Sequence, residues 1–495
     1  MTQQDTNHRA GLPPEAPYAR RRSSVARVGH IGIGGENPIR LQSMTTTDTN
    51  DTEACVAQAK RIIAAGGELV RLTTQGTREA ENMRNISARL RAEGIMTPLV
   101  ADVHFNPAVA DVAATCCEKV RINPGNYVDP ARTFKKLSYS DAEYADEVRK
   151  IEARLLPFLA ICREHHTAVR IGVNHGSLSD RIMSRFGDTP QGIVESCMEF
   201  LRVCRKAGFR DVVLSVKASN TVVMVRSVRL LVQAMDREGM HFPLHLGVTE
   251  AGEGEDGRVR SAVGIGALLT EGLGDTIRVS LSEEPESEIP VARKLVSFIP
   301  ECARLRRTAP IVDGVMRLSL DEDDAEDLML KAAMAAGAPL IDRRATSLVV
   351  VNKGVPQAAL ADSILQAARV RFTHTEFISC PGCGRTLYDL QGTIARIKDA
   401  VREASATLPH LNTLKIAIMG CIVNGPGEMA DADYGYVGAA RHKVSLYRGK
   451  VCVEKNIPEG EAVARLLQLI REDSALRVCG NGEPHTKNPL KMGQG

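Results

Sequence analysis

The stretch ELVRLTTQGTREAENMRNISARLRAEGIMTPLVADVH, residues 68–104, decides the fold class. It begins with the short apolar run ELVRLTT and ends with a second one, PLVADVH, and both are suited to burial on two faces. Between them lies a helical pattern that stops at Gly94, a residue type that commonly caps the end of a helix. A buried strand, a helix and another buried strand form the repeating unit of a parallel sheet.

The same alternation runs from about residue 38 to residue 281 and contains eight candidate strands. They are IRLQSM (39–44), ELVRLTT (68–74), PLVADVH (98–104), KVRINP (119–124), AVRIGVN (168–174), DVVLSVKAS (211–219), LHLGVTE (244–250) and DTIRVSL (275–281). Eight such units over roughly 260 residues predict a (β/α)8 barrel. A doubly wound sheet is the alternative, but such sheets usually have fewer strands.

The chain of 495 residues is too long for one ordinary domain. We predict an α/β protein with a flexible tail over residues 1–30 and the barrel over 31–296. Residues 297–372 are predicted to form an insertion of helix and strand pieces, and no motif in this segment indicates a ligand. A small α+β domain is expected over 373–480, and a disordered tail over 481–495.

The composition excludes several classes of partner. The net charge is only +3 and tryptophan is absent, which argues against nucleic-acid binding by charge or by base stacking. No run of about 18 apolar residues is present, so no membrane span is expected. The twelve cysteines are scattered irregularly, which is typical of a reduced, cytoplasmic protein. The segment IGIGGENP (31–38) resembles a dinucleotide-binding loop, but Asn37 and Pro38 favour a turn into the barrel.

Polar residues stand at the predicted carboxyl ends of the strands, where barrels of this kind carry their active sites. They include Arg71, Asp102, His104, Arg121, Asn123, Arg170, Asn174, Lys217, Ser219, Glu250, Arg278 and Ser280. Each alone is more often a loop hydrogen bond or a surface ion pair. Together, four arginines and one lysine at one end of a barrel predict a bound phosphate or diphosphate, because Arg binds such oxygens bidentately.

Two further features of this end bear on chemistry. The segment SAVGIGALL (261–269) places Gly264 and Gly266 before the eighth strand, where we expect them to open a helix whose amides bind phosphate. Glu250 is acidic among basic neighbours, so it either pairs with an arginine or handles a proton. Asp102 and His104 could share that proton chemistry.

Three cysteines near the end of the chain lie in loops rich in glycine and proline. The loops are CPGCGRT (380–386) and GCIVNGPGE (420–428), which contain Cys380, Cys383, Cys421 and Glu428. Their spacing leaves four interpretations open: an iron–sulfur cluster, a zinc site, a redox pair, or structural cysteines. The third cysteine and the wrapping loops favour a 4Fe–4S cluster, and the NGPGE turn allows Glu428 to bend back toward Cys421.

The paired loops CPGCGRT and GCIVNGPGE resemble those of the 4-hydroxy-3-methylbut-2-enyl diphosphate synthases, an iron–sulfur family of isoprenoid biosynthesis. The likeness extends through LQSMTTTDTNDTEA, ELVRLTTQG, PLVADVHFNP, KVRINPGN, VRIGVNHGSLS, VVLSVKASN, LHLGVTEAG, SAVGIGALL and DTIRVSLS. It implies a barrel that binds 2-C-methyl-D-erythritol 2,4-cyclodiphosphate and a small domain that carries a 4Fe–4S cluster.

The resemblance also implies roles for individual residues. Cys380, Cys383 and Cys421 would bind three irons and Glu428 the fourth, weakly enough for the substrate to replace it. The residues that would bind the substrate are Arg71, Arg121, Asn123, Arg170, Asn174, Lys217, Ser219, Ser261, Gly264, Arg278 and Ser280. Asp102 and His104 would lie near the diphosphate, and Glu250 at the reacting end.

The partners implied by the resemblance are ferredoxin or flavodoxin as the electron donor and a second copy of the chain. In that homodimer the cluster domain of one subunit would close over the barrel of the other. Two further hypotheses are a pterin- or phosphate-binding barrel transferase with a structural zinc and a non-catalytic iron–sulfur sensor. The lone third cysteine and Glu428 argue against the first, and the dense polar set at the strand ends argues against the second.

Overall fold

Eight parallel strands form a closed barrel in the computed structural model, which describes residues 18–129, 138–422, 429 and 431–479. The strands are β3 (Arg40–Met44), β4 (Leu69–Thr74), β5 (Leu99–Val103), β6 (Lys119–Ile122), β7 (Ala168–Asn174), β8 (Val212–Lys217), β9 (Leu244–Leu246) and β10 (Thr276–Ile277). They are paired in sequence order, and β10 closes the ring on β3. All eight lie within the segments predicted as strands, so the (β/α)8 prediction is confirmed.

Helices surround the barrel, and most begin at a polar residue that caps their first free amides. Asp51 accepts from the amide of Ala54, and Asn220 accepts from those of Val222 and Val223. The helices are α1 (Thr52–Ala64), α2 (Thr77–Ala92), α3 (Pro107–Ala114), α4 (Pro124–Tyr127), α5 (Asp141–Glu164), α6 (Asp180–Phe186), α7 (Pro190–Lys206), α8 (Thr221–Arg237), α9 (Gly254–Leu269), α10 (Glu288–Ser297) and α11 (Ile299–Thr308).

A short hairpin closes the amino-terminal end of the barrel. Its strands, β1 (Ala26–Val28) and β2 (Ile31–Ile33), are antiparallel. Ala26, Val28 and Ile33 are fully buried against apolar residues near the starts of the barrel strands. The hairpin begins inside the segment expected to be a tail, because alternate small apolar residues there match the apolar floor of the barrel.

The inserted segment forms a small sheet with two helices. Its elements are β11 (Ile311–Val312), β12 (Val315–Leu320), α12 (Ala325–Ile341), β13 (Ser347–Asn352), β14 (Val355–Pro356) and α13 (Ala358–Ala367). The strand order is β11-β12-β13-β14, and the two central strands are parallel. Its buried side chains are continuous with those of the barrel, so the insertion extends the barrel's core sideways.

Helices α9 and α12 approach closely through glycines on both. A Cβ on Gly266 would lie 2.5 Å from Cγ of Met334, and a Cβ on Gly337 would lie 2.6 Å from the carbonyl oxygen of Val263. Any larger side chain at either position would push the two helices apart. This contact fixes the insertion against the barrel.

The C-terminal domain is a five-stranded mixed sheet with two long helices. Its elements are β15 (Glu376–Ser379), α14 (Leu390–Ser405), β16 (Lys415–Met419), β17 (Tyr434–Ala440), β18 (Lys443–Arg448), β19 (Val451–Pro458) and α15 (Glu459–Cys479). The strand order follows the sequence, parallel from β15 to β17 and antiparallel from β17 to β19. The expected α+β pattern is present, with β15 as an additional strand.

No helix in the described part of the chain is long and apolar enough to cross a membrane. Cys55, Cys162, Cys197, Cys204 and Cys302 are buried in the core as small apolar side chains.

Candidate functional site

A cavity lies between the carboxyl ends of the barrel strands and the C-terminal domain. The barrel contributes Met44, Arg71, Asp102, His104, Arg121, Arg170, Asn174, Ser215, Lys217, Thr249, Glu250, Arg278 and Ser280. The C-terminal domain contributes residues 380–383, Arg385 and residues 419–421. The polar barrel mouth and the cysteine loops, which are distant in sequence, therefore face each other.

The wall of this cavity carries far more positive than negative charge. Its cationic residues are Arg71, Arg121, Arg170, Lys217, Arg278 and Arg385, and its acidic residues are Asp102 and Glu250. Arg278 pairs with an acid behind the wall: its guanidinium donates to Glu288 at 2.8 and 3.0 Å, and Ser43 donates to the same carboxylate at 2.6 Å. The other four arginines of the wall lie within 4.0 Å of Asp102.

Asp102 holds several of these cations together. Its oxygens lie 3.1 Å from Nη1 of Arg121, 3.8 Å from Nη2 of Arg170 and 3.8 Å from Nη2 of Arg385. Burial opposes ionisation of Asp102, but Arg71 and Arg121 outweigh burial and hold the pKa of the carboxyl well below its ordinary value. Asp102 is therefore a permanent anion that positions arginines.

His104 is a neutral side chain in this arrangement. Its Nε2 lies 3.5 Å from Asp102 and also contacts the guanidinium of Arg121. Burial, and next the charge of Arg121, lower the pKa of His104 to about 3. The imidazole can thus exchange hydrogen bonds with a ligand but carries no charge near neutral pH.

Arg121 is fixed over the barrel mouth by the neighbouring strand. It donates at 2.9 Å to the carbonyl of Gly172 and at 2.9 Å to Oδ1 of Asn174. A Cβ on Gly172 would lie 2.7 Å from Nε of Arg121, so glycine at this position leaves the room that the guanidinium occupies.

Arg170 and Lys217 are buried cations that need an anion. Nε and Nη1 of Arg170 have no hydrogen-bond partner among the residues that the structure describes. Burial, followed by repulsion from Arg71, lowers the pKa values of Arg170 and Lys217 well below their ordinary values. An anion with several oxygens would satisfy the free donors and relieve the repulsion.

Glu250 lies where the two walls of the cavity meet. Its φ of 48° is in the left-handed region, which is uncommon for a residue with a side chain and is found at functional sites. The next residue, Ala251, forms a parallel β-bridge with Ser379. The charge of Glu250 is close enough to Cys380 to contribute to the raised pKa of that thiol, so the carboxylate belongs to the cysteine side of the cavity.

The cysteine loops have features that suit an iron–sulfur group. Cys380, Cys383 and Cys421 all line the cavity, and the amide of Gly420 donates to Sγ of Cys380 at 3.2 Å. Arg385 also lines the cavity and lies close enough to Cys383 for the two side chains to interact electrostatically. Burial raises the pKa of the Cys380 thiol to about 12, so its thiolate requires a compensating positive charge such as iron.

The fourth expected ligand, Glu428, lies outside the described residues. Within those residues, no group of three His, Cys, Asp or Glu side chains is placed to hold a metal ion. The donor set that the structure does describe is three thiols on one side of a cavity, with an N–H donor directed at Cys380 and the guanidinium of Arg385 near Cys383. This set fits a polynuclear group with its own sulfurs.

The structure brings most of the expected site residues into the cavity wall. These are Arg71, Asp102, His104, Arg121, Arg170, Asn174, Lys217, Glu250, Arg278, Ser280, Cys380, Cys383 and Cys421. Asn123, Ser219, Ser261 and Gly264 are not among the lining residues. Asn123 instead caps α4 through the amide of Gly125 and donates to Ser177 at 2.8 Å, which ties two loops together.

The expectation that Gly264 and Gly266 open a helix is wrong. Helix α9 begins at Gly254, so both glycines and Ser261 lie in its interior, where the backbone amides are used by the helix. A Cβ on Gly264 would lie 2.6 Å from Cγ2 of Val248, so this glycine serves helix packing, as Gly266 does. The amides of Gly264 and Gly266 therefore offer no helix N-terminus for a phosphate.

Two arginines of the site were not singled out from the sequence. Arg385 stands inside the quoted CPGCGRT motif, and its Nε and Nη1 have no hydrogen-bond partner among the described residues. Arg260 donates to the carbonyls of Ala251 at 2.8 Å and Phe377 at 3.0 Å, which joins barrel and C-terminal domain. The proximity of Arg385 to two cysteines was a usable signal, whereas nothing in the sequence around Arg260 marked it.

The site forms within a single chain. Besides the bridge at Ala251, Ser282 donates to the carbonyl of Cys380 at 3.0 Å, and Lys398 pairs with Glu253 at 3.1 Å. The resemblance implied that the cluster domain would close over the barrel of a second subunit. Here the described residues of the cysteine loops line the cavity at the mouth of their own barrel.

Two family models match the chain. The GcpE TIM-barrel domain matches residues 23–293, and the GcpE protein C-terminal domain matches residues 376–472. The chain belongs to the GcpE family. Relatives from Bacteroides thetaiotaomicron and Porphyromonas gingivalis are 50% and 43% identical, with 92% of this chain and 98% of each relative covered. Both relatives are named 4-hydroxy-3-methylbut-2-en-1-yl diphosphate synthase (flavodoxin), so the resemblance drawn from the motifs is confirmed.

The insertion lies between the two matched domains of the GcpE chain. The alignment with the Bacteroides thetaiotaomicron relative spans 609 positions, more than the 495 residues of this chain. That relative therefore contains segments that this chain lacks.

Proposed function

We propose that this chain converts 2-C-methyl-D-erythritol 2,4-cyclodiphosphate into 4-hydroxy-3-methylbut-2-enyl diphosphate in isoprenoid biosynthesis. The observation that carries the proposal is the cavity itself, where six cationic and two acidic side chains face three cysteines. Membership of the GcpE family supports the same conclusion. The reaction takes up two electrons, breaks one ring carbon–oxygen bond and releases one hydroxyl group as water.

The cations of the barrel are proposed to bind the diphosphate. Arg170 offers two donors without a partner in the described part of the chain, and Lys217 lines the same cavity from the adjacent strand. Arg71, Arg121 and Arg278 are held in place by Asp102, Asn174 and Glu288, so they lose little conformational freedom when the ligand binds. Ser280 and neutral His104 complete the proposed set with uncharged hydrogen bonds.

The cysteines are proposed to hold a 4Fe–4S cluster, with Glu428 as a weaker fourth ligand. When bound, the cluster supplies the electrons one at a time and a Lewis-acidic iron at the reacting end of the cavity. The hydrogen bond from Gly420 to Cys380 and the positive charge of Arg385 near Cys383 support it, since N–H donors and cations stabilise electron-rich sulfur.

Glu250 is proposed to supply the proton for the leaving hydroxyl. Its carboxyl lines the cavity on the side of the cysteines, and the bridge between Ala251 and Ser379 fixes the backbone next to it. Arg260 supports that position by binding the carbonyl of Ala251. Asp102 and His104 are proposed to organise the diphosphate end, where a fixed anion and a neutral imidazole orient the arginines.

The assembly and the electron donor belong to the same proposal. The proposed electron donor is flavodoxin, which is part of the relatives' names, or ferredoxin, which the resemblance also implies. We propose a cytoplasmic enzyme and retain the homodimer, with each catalytic unit contained in one chain.

Anaerobic purification and metal analysis test the proposal. We expect about four irons and four sulfides per chain, and conversion of the cyclodiphosphate when a small-molecule reductant is supplied. One zinc per chain, or full activity in iron-free protein, would contradict it.

The variant Glu428→Cys tests the proposed ligand. It should still assemble a cluster, with iron content like that of the parent, but lose most turnover because a thiolate is harder to displace than a carboxylate. Full activity in this variant would show that the fourth ligand need not be displaced.

A further inference from the structure

The turn between β17 and β18 forms an exposed basic surface on the C-terminal domain. Arg441, His442 and Lys443, which we call the basic turn, are all exposed. On the adjacent helix α14, the side chain of Arg396 is 53% exposed. The basic turn and Arg396 both contact Glu459 at the start of α15, through His442 at 3.2 Å and Arg396 at 3.7 Å, so they form one patch.

A short chain of hydrogen bonds connects the basic turn to a cysteine of the site. The amide of His442 donates to the carbonyl of Leu387 at 3.2 Å, and the amide of Leu387 donates to the carbonyl of Gly420 at 3.2 Å. The amide of Gly420 then donates to Sγ of Cys380, also at 3.2 Å. Three hydrogen bonds thus lead from the protein surface to a proposed iron ligand.

Two packed tyrosines lie beside this route. The rings of Tyr388 and Tyr436 are 5.5 Å apart in an edge-on arrangement, and the hydroxyl of Tyr388 donates to the carbonyl of Met419. A Cβ on Gly438 would lie 2.3 Å from the carbonyl oxygen of Gly420 and 3.1 Å from Cε1 of Tyr388. The strand that ends at the basic turn therefore packs directly on the cysteine loop, which keeps the path short and dry.

On the opposite side, the described residues of the cysteine loops pack on the barrel. There the loops face the cavity and bind the barrel through Ser282 and Ala251. A protein that delivers electrons must therefore approach from the side that the barrel leaves uncovered, where the basic turn lies.

We propose that the basic turn and Arg396 are the docking site for an acidic flavoprotein electron donor of the flavodoxin type. This inference rests on the proposed function, since it assigns an entry point to the electrons that the function requires. Complementary charge would guide a donor of net negative charge to the turn and raise the rate of encounter. The carboxylates of Glu459 and Glu461 at the start of α15 limit the patch on one side, and Glu459 is already bound by His442 and Arg396.

One electron passes in each encounter. The anionic flavin hydroquinone of the donor loses one electron and becomes the neutral semiquinone, and the iron–sulfur group of this chain is reduced by that electron. No bond is formed or broken at this step, and no proton moves. Two encounters supply the two electrons of the reaction.

Charge reversal at matched positions tests the docking site. Lys443 and Lys450 lie at opposite ends of β18 and are both exposed, so Lys450→Glu is the control for Lys443→Glu combined with Arg441→Glu. Holoenzyme is titrated anaerobically with flavodoxin, and Kd is measured at low and high salt. We expect the double variant to raise Kd at least tenfold and flatten the salt dependence, and the control to leave both unchanged.

Turnover with a small-molecule reductant separates this inference from the proposed function. The double variant should keep its iron content and its turnover with that reductant, and lose only the turnover that flavodoxin supports. Unchanged flavodoxin binding, or equal weakening by Lys450→Glu, would overturn the docking site while the function stands. Absence of turnover with the small reductant in the parent protein would instead contradict the function.

Discussion

The two ends of the barrel are built from the same eight strands but have opposite contents. At the amino-terminal end, Ile33 and its neighbours form a dry apolar layer with the hairpin. At the carboxyl-terminal end, six cations crowd around two acids, and donors of Arg170 have no partner among the described residues. The apolar end stabilises the fold, whereas the charged end is costly without a ligand and is held in place by the rest of the barrel.

Glu250→Gln should produce the largest functional loss at the charged end. The substitution keeps the size of the side chain and removes its proton chemistry, so we expect kcat to fall about a thousandfold. Steady-state kinetics with a small reductant measure kcat, and a direct binding titration measures the dissociation constant of the cyclodiphosphate. The dissociation constant of the cyclodiphosphate should change less than about threefold. Equal losses in binding and turnover would assign Glu250 to substrate binding instead.

Arg170→Met should separate function from stability. It removes a buried cation whose N–H donors are proposed to bind the diphosphate, so kcat/KM should fall about a hundredfold. The free energy of unfolding of the ligand-free protein should stay the same or rise by about 1 kcal/mol, since an uncompensated charge is removed. Denaturant unfolding checks this sign, and a clear loss of stability would mean that Arg170 is structural.

Ile33→Ala is the matching change at the apolar end. Ile33 is fully buried, so the truncation should lower the free energy of unfolding by about 3 kcal/mol. Folded variant protein should keep kcat/KM within about twofold of the parent, because none of the described hairpin residues lines the cavity. A large change in KM would show that the two ends are coupled.

The pH dependence of stability should be smaller but diagnostic. His104 has its pKa lowered to about 3 by burial and Arg121, from an ordinary value of 6.5. In the unfolded chain it binds a proton below 6.5, so its contribution to stability is present above that pH and is lost as pH falls toward 3. The loss is at most about 1.4 kcal/mol per pH unit. His104→Gln should flatten the stability curve in this window, and an unchanged slope would contradict a neutral, buried His104.

The sequence was sufficient for features that depend on local pattern. The buried strands repeat with helices between them, so the placement of Arg71, Arg121 and Arg170 on barrel strands followed directly. Gly264 was misplaced because the glycine-rich start of α9 hides where that helix begins. Gly266 leaves room for Met334 to pack against helix α9, and the two residues come together only when the insertion folds against the barrel. Contacts between residues so distant in sequence, such as that of Ala251 with Ser379, leave no local pattern.

The most direct test of the single-chain site is subunit mixing. Cys380→Ser removes a proposed iron ligand from the C-terminal domain, and Glu250→Gln removes the proposed proton donor of the barrel, so we expect each variant alone to be inactive. After unfolding, mixing and reconstitution of the cluster, we expect no more activity than the two separate samples show. If the cluster domain served the barrel of a second subunit, mixed dimers would contain one intact site, and activity would recover to about a quarter of that of the parent protein. That recovery would contradict a site formed within one chain.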